Sequence, residues 1–326
     1  MKVVIVFLIS CFFSLGFLFF LKRLGLSFKL CEKRRNIPFV GGLALFLSFF
    51  LTFLFFSKVY LIEIPFQLKW LFLFCWVFFL VEFFDDIYDF SITVKLVSQL
   101  IIIGIFLTKA KIIQIYFLSL WLNYFISFFW LMGITCAFNH LDISDGLCGG
   151  VSLITTLYFL IAVALKTDVR LLILFMALFG AIFSFLLLNF PPAKIFLGNS
   201  GSHFLGFFFG AMSMYIDYAT LRNSYFLAFP LFILAYPMID TFFIIFVRLK
   251  KRIMPLMKSN DHIFLRLLSS GWSERKALLR IFLLTLLWGM CGVFLYFGMN
   301  IFFVIFSLFV FLMTGKIIIY ALRAER

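Results

Sequence analysis

Residues 121–150 read WLNYFISFFWLMGITCAFNHLDISDGLCGG, and this stretch decides the class of fold. An apolar run ends in a short polar segment, NHLDISDG at 139–146, and a second apolar run begins directly after it. A helix needs about 20 apolar residues to cross about 30 Å of hydrocarbon. Acids, an Asn and a His between two such runs are costly near lipid, so they indicate a functional turn between membrane-spanning helices.

The remainder of the chain repeats this alternation of apolar runs and short polar connections. Of its 326 residues, 65% are hydrophobic and 13% are charged, about half the charged fraction of a soluble domain. The pattern predicts an all-α, polytopic transmembrane protein with about eleven spans. These lie near 3–21, 39–57, 70–84, 92–108, 121–138, 149–166, 170–188, 201–217, 225–247, 279–297 and 299–320. No linker divides the chain, so residues 1–326 are predicted to form one domain.

The basic residues predict the orientation in the membrane. Lys and Arg concentrate in the loops after the first and ninth spans, and the formal net charge is +14. The positive-inside rule therefore places odd-numbered loops in the cytoplasm, the N-terminus outside and Arg326 inside. Because topology accounts for this charge, no nucleic-acid partner is predicted. The six cysteines are scattered and indicate neither a disulfide framework nor a zinc site.

Four polar stretches follow odd-numbered spans and are therefore expected on the same face. They are DDIYD (85–89), NHLDISDG (139–146), NFPPAKIFLGNSGS (189–202) and SNDHIF (259–264). Their acids would repel one another and raise one another's pKa unless a cation lay among them. With oxygen ligands, that cation is predicted to be Mg²⁺, with Mn²⁺ as second choice, and Mg²⁺ keeps positions for phosphates.

Two further features favour a phosphate ligand. Gly198 and Gly201 allow backbone amides to approach an anion, and Ser200 or Ser202 is expected to cap the following helix. Lys95 lies one turn after a predicted N-cap, Ser91, and faces the same way as Gln99, four residues on. A lysine inside a span is a functional candidate.

Structural interpretations of these features remain open. The acids at 85–89 are also typical of a solvated helix end, and residues 139–146 of a capping turn. The glycines at 198–201 are compatible with a tight helix connection, and His140 and His203 with structural roles. Asp240, inside an apolar run, is less easily explained because a buried unpaired carboxylate is costly.

At these positions the sequence resembles the polyprenyl-phosphate N-acetylhexosamine-1-phosphate transferases, the family of phospho-N-acetylmuramoyl-pentapeptide transferase. The resemblance is carried, in order along the chain, by IPFVGG (37–42), DDIYDFSITVKLVSQ (85–99), NHLDISDGLCGG (139–150), LNFPPAKIFLGNSGSHFLG (188–206), PMIDT (237–241) and DHIFLRL (261–267). It implies Mg²⁺-dependent transfer of a sugar 1-phosphate from a UDP-N-acetylhexosamine to undecaprenyl phosphate. UMP is released at the cytoplasmic face of a bacterial inner membrane. The reduced histidine motif and the extra C-terminal span favour the O-antigen-initiating type.

The resemblance also assigns roles to individual residues. Asp85 and Asp86 match paired aspartates that orient or deprotonate the lipid phosphate, and Asp145 matches a catalytic aspartate near the nucleotide or metal. The substrate-binding positions are Lys95, Asn139, Asn189, Gly198, Ser202 and His262.

Two departures from the family pattern change the formal charge in opposite directions. Asp142 stands where the family has Asn, and Asn199 stands where it has a metal-binding Asp. If both face the same Mg²⁺, its ligand charge is unchanged, so both are predicted metal ligands. Cys148 replaces an Asp and has no metal role, while Phe264 and Leu265 replace expected histidines.

These departures leave two alternatives to the enzyme. One is an inactive paralogue that binds lipid phosphate or scaffolds glycan assembly. The other is a transporter that uses Asp240 and Lys95, although no internal repeat favours it. The sequence does not identify the sugar, and it leaves a homodimer open.

Overall fold

A computed structural model describes residues 2–32, 35–216, 228–254 and 261–323, which form thirteen helices and one small sheet. Contacts divide the chain into two compact units, Met1–Asp217 and Tyr218–Arg326. Each unit is described by itself, and the assignment of residues 1–326 to one domain stays a prediction.

The first unit contains a two-stranded sheet and eight helices. The sheet pairs β1 (Cys31–Glu32) antiparallel with β2 (Ile37–Pro38), with Cys31 opposite Pro38. The helices are α1 (Lys2–Ser27), α2 (Gly41–Val59), α3 (Phe66–Tyr88), α4 (Ile92–Leu107), α5 (Leu120–Leu141), α6 (Leu147–Lys166), α7 (Val169–Asn189) and α8 (Gly198–Tyr215).

The second unit has five helices in its described ranges. They are α9 (Phe229–Ile233), α10 (Ala235–Lys250), α11 (Ile263–Ser269), α12 (Glu274–Tyr296) and α13 (Asn300–Arg323). Helix α12 packs against the other four.

Ten of the eleven apolar runs coincide with single helices, namely α1–α8, α12 and α13. The ninth run, 225–247, contains both α9 and α10, and its residues 225–227 lie outside the described ranges. Within the described ranges, seven of these helices are long and apolar enough to cross a membrane, namely α1, α2, α5, α6, α7, α12 and α13. Helices α4 and α10 have 16 residues each, and α3 ends in acids. The all-α, polytopic prediction is confirmed. The termini on which the predicted orientation turns, Met1 and Arg326, lie outside the described residues.

The direction of the helices gathers three of the four polar stretches at one end of the first unit. Helices α3, α5 and α7 end there, and α4, α6 and α8 begin there. The predicted convergence of residues 85–89, 139–146 and 189–202 is therefore confirmed. The fourth stretch belongs to the second unit, and its residues 259–260 lie outside the described ranges.

An aromatic cluster joins the helices that carry this end of the unit. The Phe46 ring of α2 stacks on Phe79 of α3 with centroids 4.2 Å apart, and meets Phe204 of α8 edge-on at 4.9 Å. Phe49 and Phe208 make a second α2–α8 contact at 5.4 Å. In a membrane such packing stabilises helix association by dispersion, so the three helices are held as a group.

Helix α2 begins against the segment that leads into α8. The amide of Gly41 donates to the carbonyl of Phe196 at 2.9 Å, and that of Gly42 to Leu197 at 2.8 Å. A Cβ atom on Gly42 would lie 2.5 Å from the Leu197 carbonyl oxygen and 2.6 Å from the Gly201 Cα. The two glycines of IPFVGG are therefore required for a backbone-to-backbone approach.

We expect Gly42→Ala to destabilise the protein by at least about 1–3 kcal/mol, because the clash is with backbone that cannot rotate away. The apparent melting temperature in detergent measures the loss. Gly104→Ala is the matched control, since a Cβ there meets nothing within 4 Å. Equal melting temperatures for the two variants would contradict this account of the contact.

Candidate active site

The carboxylate of Asp86, at the end of α3, occupies the N-terminus of α8. Its Oδ1 accepts from the Asn199 amide at 2.8 Å, and its Oδ2 accepts from the Ser200 amide at 3.0 Å. Gly198 makes the approach possible, with φ of +79° and space for no Cβ beside Asp86. The anion that these backbone amides bind is thus the protein's own Asp86 carboxylate, whose charge complements the helix dipole.

The prediction that Ser200 or Ser202 caps α8 is wrong. The helix already begins at Gly198 and has no side-chain cap on its own segment, because Asp86 supplies that function from α3. The Ser202 hydroxyl instead lies 3.1 Å from Asn139 Oδ1 as a hydrogen-bond donor. Two predicted substrate-binding residues are thereby brought into contact.

Asp85 connects three segments beneath the α8 terminus. It is 2% exposed, accepts from Asn199 Nδ2 at 2.9 Å and lies 2.9 Å from Lys95 Nζ. The backbone amide of Phe90 donates to its second oxygen at 2.8 Å. Ser91 caps α4 as predicted. Lys95 is therefore held beside the paired acids, as its predicted contact with phosphate requires.

Asp145 is paired with Arg35, a residue that sequence reasoning missed. The Arg35 guanidinium lies 2.8 Å from its Oδ1, and the Ala193 amide donates to its Oδ2 at 3.0 Å. Arg35 belongs to a basic loop that was interpreted as a topology determinant. Its position two residues before IPFVGG is the available signal, because that motif packs against the segment leading to α8.

Asn189 uses its amide to join the connections around the site. Its Oδ1 accepts from the Gly146 amide at 2.9 Å, and its Nδ2 donates to the Ile195 carbonyl at 2.8 Å. These bonds hold the turn before α6 against the segment before α8. The residue predicted to contact substrate thus also shapes the site.

A cavity of about 430 Å³ lies among these connections. Six residues predicted for the site line it: Asp86, Asp142, Asp145, Asn189, Gly198 and Asn199. The other lining residues are Glu32, Arg35, Phe39, Ile143, Ser144 and Phe196. The structure therefore places three of the predicted acids, Asp86, Asp142 and Asp145, in one pocket, whereas Asp85 is buried beside it and does not line it. The individual roles of these residues stay predictions.

Asp142 differs from its acidic neighbours in how its charge is balanced. It lies beyond the predicted span 121–138, and its carboxylate has neither a hydrogen bond nor an ion pair with any described residue. Burial, and then the charges of Asp86 and Asp145, raise the pKa of Asp142 to about 8. Burial also raises the pKa of Asp86, beyond the span 70–84, to about 6, against the hydrogen bonds from α8. Repulsion from neighbouring acids contributes to both shifts but is not their largest cause.

The side chains in the cavity fit a hard divalent cation that also binds substrate oxygens. No group of three His, Cys, Asp or Glu side chains in the described ranges is arranged to hold a metal by itself. Mg²⁺, however, needs only one or two protein carboxylates. The Asp142 carboxylate lines the cavity and could be one such ligand. The side-chain nitrogen of Asn199 is hydrogen-bonded to Asp85, so the side-chain oxygen of Asn199 is the atom left to bind a cation.

The second unit holds the remaining predicted site residue, His262. Its Nδ1 lies 3.0 Å from Asp240 Oδ2, and the Ile263 amide donates to Asp240 Oδ1 at 2.9 Å. Asp240 is 1% exposed, so these partners account for a carboxylate that would otherwise be costly there. The role of His262 in binding substrate stays a prediction.

These features define a polytopic helical membrane protein with an acidic, oxygen-rich cavity at one end of its first unit. Residues 68–217 match the model of the family described as "Glycosyl transferase family 4". The chain belongs to this family, and the resemblance drawn from its motifs is confirmed.

Three relatives of this chain are named as sugar-phosphate transferases. A Thermotoga maritima undecaprenyl-phosphate alpha-N-acetylglucosaminyl 1-phosphate transferase is 32% identical, over 71% of this chain and 69% of its own. A Bacillus subtilis protein, "Probable undecaprenyl-phosphate N-acetylglucosaminyl 1-phosphate transferase", is 33% identical over 61% of this chain, which spans 58% of that relative. A phospho-N-acetylmuramoyl-pentapeptide-transferase of Desulforamulus reducens is 30% identical over 54% of this chain and 50% of its own.

We expect Asp142→Asn to raise stability at alkaline pH in the absence of divalent cations. A carboxyl whose folded pKa is about 8, above its unfolded value of about 3.9, loses stabilisation as the pH rises through that window. The variant's melting temperature should therefore exceed that of the wild type at pH 8.5, by an amount that shrinks towards pH 5. A difference that does not change between those pH values would contradict the placement of this charge.

Proposed function

We propose that the protein transfers a HexNAc-1-phosphate from a UDP-N-acetylhexosamine to undecaprenyl phosphate, releasing UMP, as the first step of a bacterial surface glycan. The observation that carries this proposal is the cavity in which Asp86, Asp142, Asp145 and Asn199 meet in a member of this transferase family. The names of the Bacillus subtilis and Thermotoga maritima relatives support the same reaction. An inactive, lipid-binding paralogue has no support among these findings.

The reaction is a displacement at phosphorus. An oxygen of the acceptor phosphate forms a bond to the β-phosphorus of the donor, and the bond from that phosphorus to the oxygen bridging to the α-phosphate breaks. The bridging oxygen leaves with UMP. Such a transfer depends on positioning and charge neutralisation more than on covalent chemistry.

The acids of α3 are proposed to serve the acceptor. Asp85 and Asp86 would orient or deprotonate the lipid phosphate, and Lys95 would supply a positive point charge to it. The 2.9 Å contact between Lys95 and Asp85 supports this arrangement, since it holds the end of α3 and the start of α4 together at the site. Asp145 is proposed to act near the nucleotide, where Arg35 already balances its charge.

The remaining predicted residues are proposed to bind the donor and the metal. Asn139, Asn189, Gly198, Ser202 and His262 would contact substrate. Asp142 and Asn199 would hold Mg²⁺, or Mn²⁺ as second choice, and the ion when bound would neutralise charge on the phosphates. We further propose an inner-membrane location with the cavity facing the cytoplasm, because the donor is a soluble polyanion; a homodimer remains untested.

The experiment that tests the function is UMP release by purified protein in detergent or vesicles. The reaction contains undecaprenyl phosphate, Mg²⁺ and UDP-GlcNAc, with UDP-GalNAc and a deoxy-HexNAc analogue in parallel. We expect UMP with at least one donor and only when the acceptor is present. No UMP with any donor would overturn the enzyme assignment, and a titration showing neither Mg²⁺ nor UDP binding would favour an inactive paralogue.

Exchange of the two departing residues tests the metal site. We expect Asp142→Asn to lose most activity, roughly a hundredfold, because a carboxylate ligand that lines the cavity is removed. The reciprocal double variant Asp142→Asn, Asn199→Asp should recover part of the Mg²⁺-dependent UMP release, since the ligand charge is restored at the same ion, although the Asn199 Nδ2 hydrogen bond to Asp85 is lost. Asn199→Asp alone is the matched control. Equal loss in the single Asp142 variant and the double variant would show that the two positions do not share a cation.

A further inference from the structure

A second polar cluster lies buried behind the site and is not used by the proposed chemistry. Glu82, Gln99 and His203 are 1%, 3% and 3% exposed, respectively. The Gln99 side-chain nitrogen lies 2.9 Å from Glu82 Oε1 and 3.0 Å from His203 Nε2. His203 Nδ1 lies 2.9 Å from the Asn199 carbonyl oxygen and 3.2 Å from Glu82 Oε2. These contacts connect α3, α4 and α8.

The register of the three residues relates them to the site. Glu82 lies three residues before Asp85 on α3. Gln99 and His203 lie four residues after Lys95 and Asn199 on α4 and α8. Residues three or four apart occupy one helix face, one turn from each other. Helix α3 ends at the site, whereas α4 and α8 begin there. Glu82, Gln99 and His203 therefore each lie one turn further from the site than Asp85, Lys95 and Asn199.

The first unit therefore contains two stacked polar layers built by the same three helices. The upper layer is Asp85, Lys95 and Asn199, joined by two contacts of 2.9 Å. The lower layer is Glu82, Gln99 and His203. Each helix contributes one residue to each layer, so a shift of one helix along its axis would disturb both layers together.

Stability alone does not explain the lower layer. Buried polar groups are costly unless they are paired, and apolar residues of similar volume often stabilise a protein at least as well. The pairing here is also incomplete. Glu82 Oε2 lies 3.2 Å from His203 Nδ1, yet no donor in the described part of the chain is aligned for a hydrogen bond to it. Directional bonds, unlike apolar packing, specify the axial register of helices.

We propose that Glu82, Gln99 and His203 are positioning residues, which fix the register of α3, α4 and α8 so that Asp85, Lys95 and Asn199 meet with productive geometry. The inference rests on the proposed function for its activity readout. A displacement of about 1 Å in such a site costs roughly a hundredfold in rate. Asn189 and the turn before α6 lie outside the three helices of the lower layer, whereas Gly198 and Ser202 belong to α8. Donor affinity should therefore change less than kcat.

The decisive variant replaces the whole lower layer, as Glu82→Leu, Gln99→Leu and His203→Leu together. It removes the three polar side chains together and leaves only the weak Cys136 Sγ donor, 4.0 Å from Gln99 Oε1, without its acceptor. We therefore expect a folded protein whose melting temperature is close to that of the wild type or above it. Its kcat for UMP release should fall roughly tenfold to a hundredfold, with the KM for the UDP-sugar within about twofold. A second readout is the rise in melting temperature on adding Mg²⁺ and undecaprenyl phosphate, which should be smaller in the triple variant than in the wild type. This readout measures ligand binding and does not require turnover.

Two single variants complete the test. Glu82→Gln retains the Oε1 acceptor for Gln99, so its kcat should stay within about threefold of the wild type. Trp130→Phe is the matched control, because it removes another interhelical bond of the unit, the 2.7 Å contact from Trp130 Nε1 to Ser213 Oγ. It should leave kcat and the ligand-induced shift unchanged.

The outcomes separate this inference from the proposed function. A folded triple variant with wild-type kcat and a wild-type ligand-induced shift would overturn the positioning role. If the wild type itself released no UMP, the proposed function would fail. The ligand-induced shift would then still decide the role of the lower layer, since equal shifts in wild type and triple variant would overturn it.

Discussion

The site depends on the contact between the Asp86 carboxylate and the first amides of α8. Two hydrogen bonds, of 2.8 and 3.0 Å, join the end of α3 to the start of α8. A carboxylate at a helix N-terminus satisfies amides that have no partner within the helix, and it complements the helix dipole. Because Asp85 precedes Asp86 and Asn199 is the second residue of α8, the same contact sets the distance between Asp85 and Asn199. The backbone approach of α2 at Gly42 then supports the segment that leads into α8.

The electrostatics of the cavity follow from how each acid is balanced. Asp85 is paired with Lys95, Asp145 with Arg35, and Asp86 with the α8 amides. Asp142 is the acid whose charge none of the described residues neutralises, and its raised pKa reflects that situation. A divalent cation would therefore have to compensate one protein carboxylate here, with much of its charge left for substrate phosphates. This distribution suits the proposed binding of two phosphate-bearing molecules at one site.

The helices and the convergence of the acids could be predicted from sequence, for physical reasons. Apolar runs in a membrane form helices because their backbone groups have no other partner. Short connections make successive helices alternate in direction, which brings residues 85–89 and 139–146 to one end. The capping of α8 by Asp86 could not be predicted, because sequence does not show which side chain reaches a helix terminus. Arg35 was missed for a related reason, since its role depends on the approach of a distant connection to Asp145.

Glu82 shows a different limit of sequence reasoning, and with it how stability and function are divided in this unit. Within an apolar run a single Glu appears anomalous, and its partners on α4 and α8 are far away in sequence. Two costly acidic groups of the unit, the incompletely paired Glu82 and the unbalanced Asp142, lie on the helices and turns that form the site. Elsewhere in the unit, apolar contacts such as the stacking of Phe46 on Phe79 supply stabilisation. Residues that break the apolar pattern while lacking full compensation are expected at functional sites. In this chain, the incompletely paired carboxylate of Glu82 inside a membrane helix is therefore better evidence of a positioning role than of a structural one.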